Sequence, residues 1–399
     1  MRYPPPVWTA RRAASAMISS ALLAACGGPP GGDGEAAECE LGPPLPGLGG
    51  GAVAVNAYYL QEEAARALRL GRGDAPVVDE VLRKAAALGA SFVRTNGFND
   101  DPAKAGDSAI QVAPLSYDEA ALRGLDLVLA RAHAHGVRLV LPLGNYWDDY
   151  GGARQYVAWA GLPSPRRGDA RFFTDPGVVR HYRAHVAGLL SRVNTFDGLR
   201  YGEHPAVLAW ELLNEPRGDG LDAAGAAMRA WVDELGAAVK ALAPGHLVGT
   251  GEEGLDAPGS RFARNTASPW VDYGSVHLFP EPWGVAPGAT AGFGTAFIAR
   301  RGAEARAAGK PLLVGELGLR NDGLPLEARR ETYRRWLECA RRAGAGAAIW
   351  LFANDGRPDA WDPYTFRWID GTAPADPANR YADLVQEAAA ARRPADGGR

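Results

Sequence analysis

The chain has 399 residues, of which 47% are apolar and 22% charged, with a formal net charge of -3. That length permits one large domain or two ordinary ones, and the composition is ordinary for a soluble globular enzyme. So even a charge balance leaves no basic footprint, which argues against nucleic acid as a partner.

The amino terminus reads as an address. Arg11-Arg12 precede an apolar run, Ala13 to Ala25, too short for a typical membrane-spanning helix. The run ends in Leu23-Ala-Ala-Cys26, which resembles the lipobox of bacterial lipoproteins. Residues 1–26 are therefore expected to be a signal peptide, with Cys26 lipidated; a plain secretory signal cut nearby is the alternative. Either reading exports the chain, to a bacterial cell envelope (outer membrane or cell surface) or beyond it. Residues 27–51 are dense in Gly and Pro and read as a flexible tether. Residues 52–392 are left for the folded domain. Cys39 and Cys339 remain as a candidate disulfide, without a spacing that fixes a framework.

Eight apolar runs of strand length then alternate with helical patterns. The runs are Ala52–Tyr58, Ser91–Asn96, Arg138–Leu143, Val207–Leu213, Leu247–Thr250, Tyr273–Leu278, Pro311–Gly315 and Ala347–Leu351. Helices are expected over Ala75–Leu88, Tyr117–His135, Gly177–Val193, Ala223–Ala243, Thr295–Ala308, Leu326–Ala343 and Asn379–Arg392. Such alternation implies parallel pairing, and eight repeats imply a single (β/α)8 TIM barrel of class α/β. A doubly wound sheet is the rival, but no Gly-rich phosphate loop follows the first strand.

The fourth run ends in Asn214-Glu-Pro216, and Pro216 cannot continue a ladder because it lacks an N–H. That leaves Asn214 and Glu215 at the carboxyl end of a buried strand, where such barrels keep their chemistry. The seventh run leads into Glu316, a carboxylate that must be paired or solvated in a cleft. Two such carboxyls suit a glycosidase: roughly 5 Å apart they retain the anomer, roughly 6.5–9.5 Å apart they invert it. Arg94, Asn145-Tyr-Trp-Asp-Asp-Tyr-Gly-Gly152, Glu252-Glu253, His277, Phe279 and Trp350 end other runs on the same rim. Arg94 is suited to holding a carboxylate ionised, Asn214 to a sugar 2-hydroxyl, His277 to a carboxyl, and Trp350 to the floor under a ring.

These motifs resemble glycoside hydrolase family 5, and within it the endo-β-1,4-mannanases. The likeness runs in order from about Val53 to Trp350. It is carried by Val93-Arg-Thr-Asn-Gly-Phe-Asn-Asp100, the Asn145–Gly152 loop, Arg192-Val-Asn-Thr195 with Gly198-Leu-Arg-Tyr201, and Trp210-Glu-Leu-Leu-Asn-Glu-Pro-Arg217. His246-Leu-Val-Gly-Thr-Gly-Glu-Glu-Gly254, Ser275-Val-His-Leu-Phe-Pro280 and Val314-Gly-Glu316 complete it. The resemblance implies Glu215 as acid/base and Glu316 as nucleophile, with Arg94, Asn214, His277 and Trp350 around them. It also implies substrate subsites lined by Trp147 and Arg217, a β-mannan-type substrate and no cofactor or metal. Two positions depart from the pattern. Phe279 stands where these enzymes carry a Tyr whose hydroxyl bonds the nucleophile, a loss of about 1–3 kcal/mol. Asn96 stands where they carry a Trp. A β-glucanase, exo-mannosidase or transglycosylase is the alternative within the family, and a carbohydrate-binding surface lipoprotein the alternative outside catalysis.

Weaker signals point elsewhere. His181 and His185 have metal-ligand spacing, but Arg180 and Arg183 flank them, so a solvated helix face is expected. His133 and His135 diverge on a helix. Arg300-Arg301 and Arg341-Arg342 read as charged helix surface.

Overall fold

The computed structural model describes residues 39–101, 108–255, 259–358 and 361–392. Cys26, the signal peptide and the first part of the tether lie outside the described residues. Among those described, no helix is long and apolar enough to cross a membrane. The strands are β1 (Val53–Asn56), β2 (Val93–Arg94), β3 (Gln111–Ala113), β4 (Ser116–Tyr117), β5 (Leu139–Pro142), β6 (Val207–Glu211), β7 (Leu247–Gly249), β8 (Gly274–Leu278), β9 (Leu312–Leu317) and β10 (Gly346–Ile349). They fall into two compact units. A terminal unit takes the chain up to Ala57, Lys84–Ser91 and everything from Gly274; a central unit takes Tyr58–Arg83 and Phe92–Tyr273.

The terminal unit pairs its strands in the order β1-β10-β9-β8, all parallel, with Val53 opposite Ala347 and Gly274 opposite Leu312. Every residue of these four strands is buried, as parallel strands covered on both faces require. Asn56 stitches them from within, donating to the carbonyls of Gly315 (2.9 Å) and Ala348 (3.2 Å). The helix expected from Thr295 begins at Thr290 instead. Gly292 and Gly294 look like loop residues, but a Cβ on Gly294 would stand 2.2 Å from the Trp336 indole nitrogen. The glycine is there for close helix packing rather than for a turn. Arg301, read as surface, is buried with its guanidinium on Glu304 at 2.6 Å.

The described part of the expected tether is packed, not loose. Leu45 and Leu48 are buried, Gly42 donates to the Ala343 carbonyl at 3.0 Å, and Cys39 is disulfide-bonded to Cys339 across 300 residues of sequence. Apolar contacts and one covalent bond thus fix a Gly/Pro-rich stretch whose composition alone reads as flexible.

The central unit pairs its parallel strands in the order β2-β5-β6-β7, with Val93 opposite Leu139, Leu139 opposite Val207 and Ala209 opposite Leu247. An antiparallel hairpin, β3-β4, is an addition that the apolar runs do not reveal. Helix Glu119–Ala134 starts on an Asp118 cap that accepts from Ala121 N–H, and helix Pro176–Ser191 on an Asp175 cap. The family-like stretch Arg192–Tyr201 is a fold device. Arg192 (2.7 and 2.8 Å), the Thr195 hydroxyl (2.8 Å) and the Tyr201 hydroxyl (2.5 Å) all donate to the buried Asp126 carboxylate. These donors hold it below the usual carboxylate range against the cost of burial.

Two measurements check these features. Reduction, or Cys39→Ser, is expected to cost on the order of 2–4 kcal/mol by freeing a long loop in the unfolded chain. Equal Tm values for the oxidised and reduced protein would contradict the staple. His246 accepts from the Trp210 indole at 3.0 Å, and burial lowers its pKa from 6.5 to about 4. Folding therefore favours its neutral form, a contribution complete above pH 6.5 and lost as pH falls toward 4. His246→Gln should shrink the gap in stability between pH 7 and pH 4.5 by on the order of 2 kcal/mol; an unchanged gap would refute the assignment.

Candidate active site

In the central unit the chain leaves the ladder at Glu211, before the apolar run ends at Leu213. The backbone of the next residues is still satisfied, Leu212 N–H by Gly249 at the end of β7, Asn214 N–H by Gly144 and Glu215 N–H by Gly251, at 2.8–2.9 Å. Gly251, at φ +77°, makes this passage feasible, because a Cβ there would lie 2.0 Å from the Leu213 carbonyl oxygen. Glu215 itself has φ +52°, a left-handed conformation costly for a non-glycine residue. Its side chain is buried, and the Trp147 indole N–H donates to its Oε2 at 2.5 Å. Pro216 follows the exit from the ladder rather than causing it.

Trp147 is fixed by its own loop. The Asn145 side chain donates to the Asp149 carbonyl at 2.8 Å, and Gly152 passes so close that a Cβ would fall 1.5 Å from the Trp147 oxygen. The Arg217 guanidinium lies over the indole ring, 4.7 Å from its centroid, and donates to Glu253 at 2.6 Å. The neighbouring Glu252 accepts from Asn265 at 2.7 Å. Arg94 pairs with the buried Glu211 (2.8 and 2.9 Å) and donates to Asn214 Oδ1 at 2.8 Å. Asn214 in turn donates to Asn145 at 3.1 Å. Glu211 reads in the sequence as a mere break in an apolar run; it is the anion that lets a buried arginine orient Asn214.

The terminal unit holds the second carboxylate. Glu316 sits inside β9, which runs on to Leu317, not just beyond a strand ending at Gly315. A register shift between Val276 and His277 sets His277 opposite Glu316. His277 is fully buried, with Nδ1 3.6 Å from Glu316 Oε1. Gly315 leaves room for that ring, since a Cβ would stand 3.2 Å from its Nε2. Phe279 packs edge-on against Tyr364 (5.4 Å between centroids) and Trp350 (6.3 Å). Trp350 is buried, and its peptide bond to Leu351 is cis.

One unit thus holds Glu215 with Trp147 and Arg217, and Arg94 on Asn214 beside them, while the other holds Glu316 with His277, as well as Phe279 and Trp350. Asn96 is half-buried, and its N–H donates to the Tyr58 carbonyl at 3.2 Å. The reading of His181 and His185 as a solvated face is corrected. His185 is fully buried with Nδ1 3.1 Å from the Tyr117 hydroxyl, and His181 contacts Gln111 at 3.0 Å. The flanking arginines point the other way, as residues one or two apart on a helix must.

Comparison with known proteins shows the family. Residues 78–339 match the family described as glycoside hydrolase family 5, β-mannosidase-like. Mannan endo-1,4-β-mannosidase 1 of Oryza sativa subsp. japonica is 34% identical over 337 residues, covering 77% of this chain and 76% of its own. Mannan endo-1,4-β-mannosidase 8 of the same plant is 32% identical, covering 77% and 88%. The structure of the endo-1,4-β-D-mannanase of Thermotoga petrophila RKU-1 superposes with a TM-score of 0.75 at 27% identity, over 85% of this chain and 99% of that one. The eight parallel strands, four in each unit, are those of the expected (β/α)8 barrel. The chain belongs to glycoside hydrolase family 5, in its β-mannosidase-like group.

Proposed function

We propose that the protein is a retaining endo-hydrolase of β-1,4-mannosidic bonds in mannan, glucomannan or galactomannan. The observation that carries this reading is 32–34% identity over 77% of the chain to mannan endo-1,4-β-mannosidases, and this sequence holds Glu215 in Asn214-Glu-Pro216 and Glu316 in Val314-Gly-Glu316. In the first step the Glu316 carboxylate attacks the anomeric carbon while Glu215 protonates the departing glycosidic oxygen. In the second, Glu215 takes a proton from water, which attacks the same carbon and frees Glu316. Asn214, oriented by Arg94, bonds the sugar 2-hydroxyl; Trp350 forms the floor; Trp147 and Arg217 meet the sugars beyond the cleaved bond. Phe279 offers the nucleophile no hydroxyl, so His277 carries more of its orientation.

We further infer export, with Cys26 as a lipid anchor. The lipobox-like run supports this, and so does the Cys39–Cys339 disulfide, which suits an oxidising compartment.

Release of reducing ends should be faster from mannan and glucomannan than from cellulose. Activity on cellulose alone would overturn the substrate, and binding of mannan without cleavage would favour a carbohydrate-binding role. Glu316→Ala should lose on the order of 10³-fold or more in kcat; a variant as active as the parent excludes it as nucleophile. Trp147→Phe removes the N–H on Glu215. It should slow substrates that need protonation of the leaving group about tenfold while sparing those that do not. Equal effects on both would mean the indole serves only to bind sugar.

A further inference from the structure

One buried titratable cluster lies beside this chemistry without being used by it. Asp100 is buried, and its backbone N–H donates to the Tyr150 carbonyl at 2.7 Å. Its Oδ2 accepts from the Tyr156 hydroxyl at 2.6 Å. Tyr156 belongs to the helix Gly152–Trp159, which begins where the Trp147 loop ends. One residue therefore grips that segment at two points, by main chain at Tyr150 and by side chain at Tyr156. Between them Gly151 lies flat on Asp100, for a Cβ there would come 2.0 Å from the Asp100 oxygen. Gly152 lies closer still to the Trp147 carbonyl, at 1.5 Å from a would-be Cβ. Residues 150–152 thus pack between Asp100 and the main chain of Trp147, whose indole donates to Glu215.

The far side of the cluster is buried. Asp100 Oδ1 has no hydrogen-bond partner and faces His185 Nε2, which also has none, at 4.0 Å. Gln111, beside them, donates to the Tyr156 oxygen at 2.9 Å. The other titratable neighbours are Tyr117, His181 and Tyr182; burial raises both phenols and lowers the imidazole, so each is neutral near pH 7. Burial lifts Asp100 to about 7 and drops His185 to about 4, so no counter-charge stands ready for an Asp100 anion.

We propose that Asp100 is a positioning residue for the acid/base, a buried clamp that grips Tyr150 and Tyr156 and so sets the Trp147 indole on Glu215. This rests on the assignment of Glu215 as acid/base and adds to it a residue that touches no substrate.

The test uses phenyl and 2,4-dinitrophenyl β-mannobiosides with the full-length protein. A phenolate leaving group needs a proton from Glu215, whereas dinitrophenolate departs without one. Asp100→Ala and Tyr156→Phe should each lose about tenfold or more in kcat/KM on the phenyl substrate and stay within about twofold on the dinitrophenyl one. Asp100→Asn keeps an acceptor for Tyr156 and should restore the phenyl rate. Equal losses on both substrates, as a merely loosened fold would give, overturn the proposal, and so does loss on neither. Tyr156→Phe, which removes one oxygen, decides the matter if Asp100→Ala does not fold. Glu215→Gln separates the two assignments. A split there, without one in the clamp variants, overturns the clamp alone; no split in Glu215→Gln overturns the acid/base reading and the positioning role with it.

Discussion

The hydrogen bond from Trp147 to Glu215 is the contact on which the central unit's architecture converges. A buried carboxyl on a backbone at φ +52° has little freedom of its own, and one indole N–H fixes the direction it faces. Most of the surrounding structure maintains one of these two conditions. Gly251 lets the chain pass at the turn before Glu215, and Gly152 lets the Trp147 loop close on itself. Left-handed backbone at a non-glycine residue costs on the order of 1–3 kcal/mol, so the neighbouring loops must over-determine it. The carbonyls of Gly144, Gly249 and Gly251, each accepting an N–H between Leu212 and Glu215, do so.

Charge is handled by pairing. Arg94 lies on Glu211, Arg217 on Glu253, and Arg192 on Asp126, each at hydrogen-bond distance. A buried pair is weak evidence for stability, because desolvation offsets much of the attraction. Its value here is directional: Arg94 also donates to Asn214 and orients it, and Arg217 spreads its guanidinium over the Trp147 ring. The carboxyl of Asp100 has no such cation, and burial pushes its pKa up to about 7.

How much of this the sequence reveals depends on the range of the forces involved. Apolar runs and their spacing report local burial, so the eight strands and most helices are legible, as are Asn214-Glu215 and Glu316 beside them. Where a strand stops is a longer-range matter. Strand β6 ends at Glu211 although Leu212 still donates to Gly249 of β7, and strand β9 runs through Glu316 opposite a register shift in β8. His185 misleads because arginines flank it on the other face of the helix. Gly294 misleads because its partner, Trp336, is distant in sequence. The packed stretch from Cys39 to Gly51 is hidden for the same reason, its anchor being 300 residues away. Glu211 and Asp126 give no signal beyond being acidic residues in apolar surroundings.

Trapping the covalent intermediate tests the central claim most directly. A 2-deoxy-2-fluoro-β-mannosyl fluoride, extended by one mannose, slows both steps and lets the glycosyl-enzyme accumulate. After digestion, mass spectrometry is expected to find the label on the peptide bearing Glu316, with Glu215 unlabelled. A label on any other residue, or turnover of the probe with inversion and no labelled peptide, would contradict double displacement at these two glutamates.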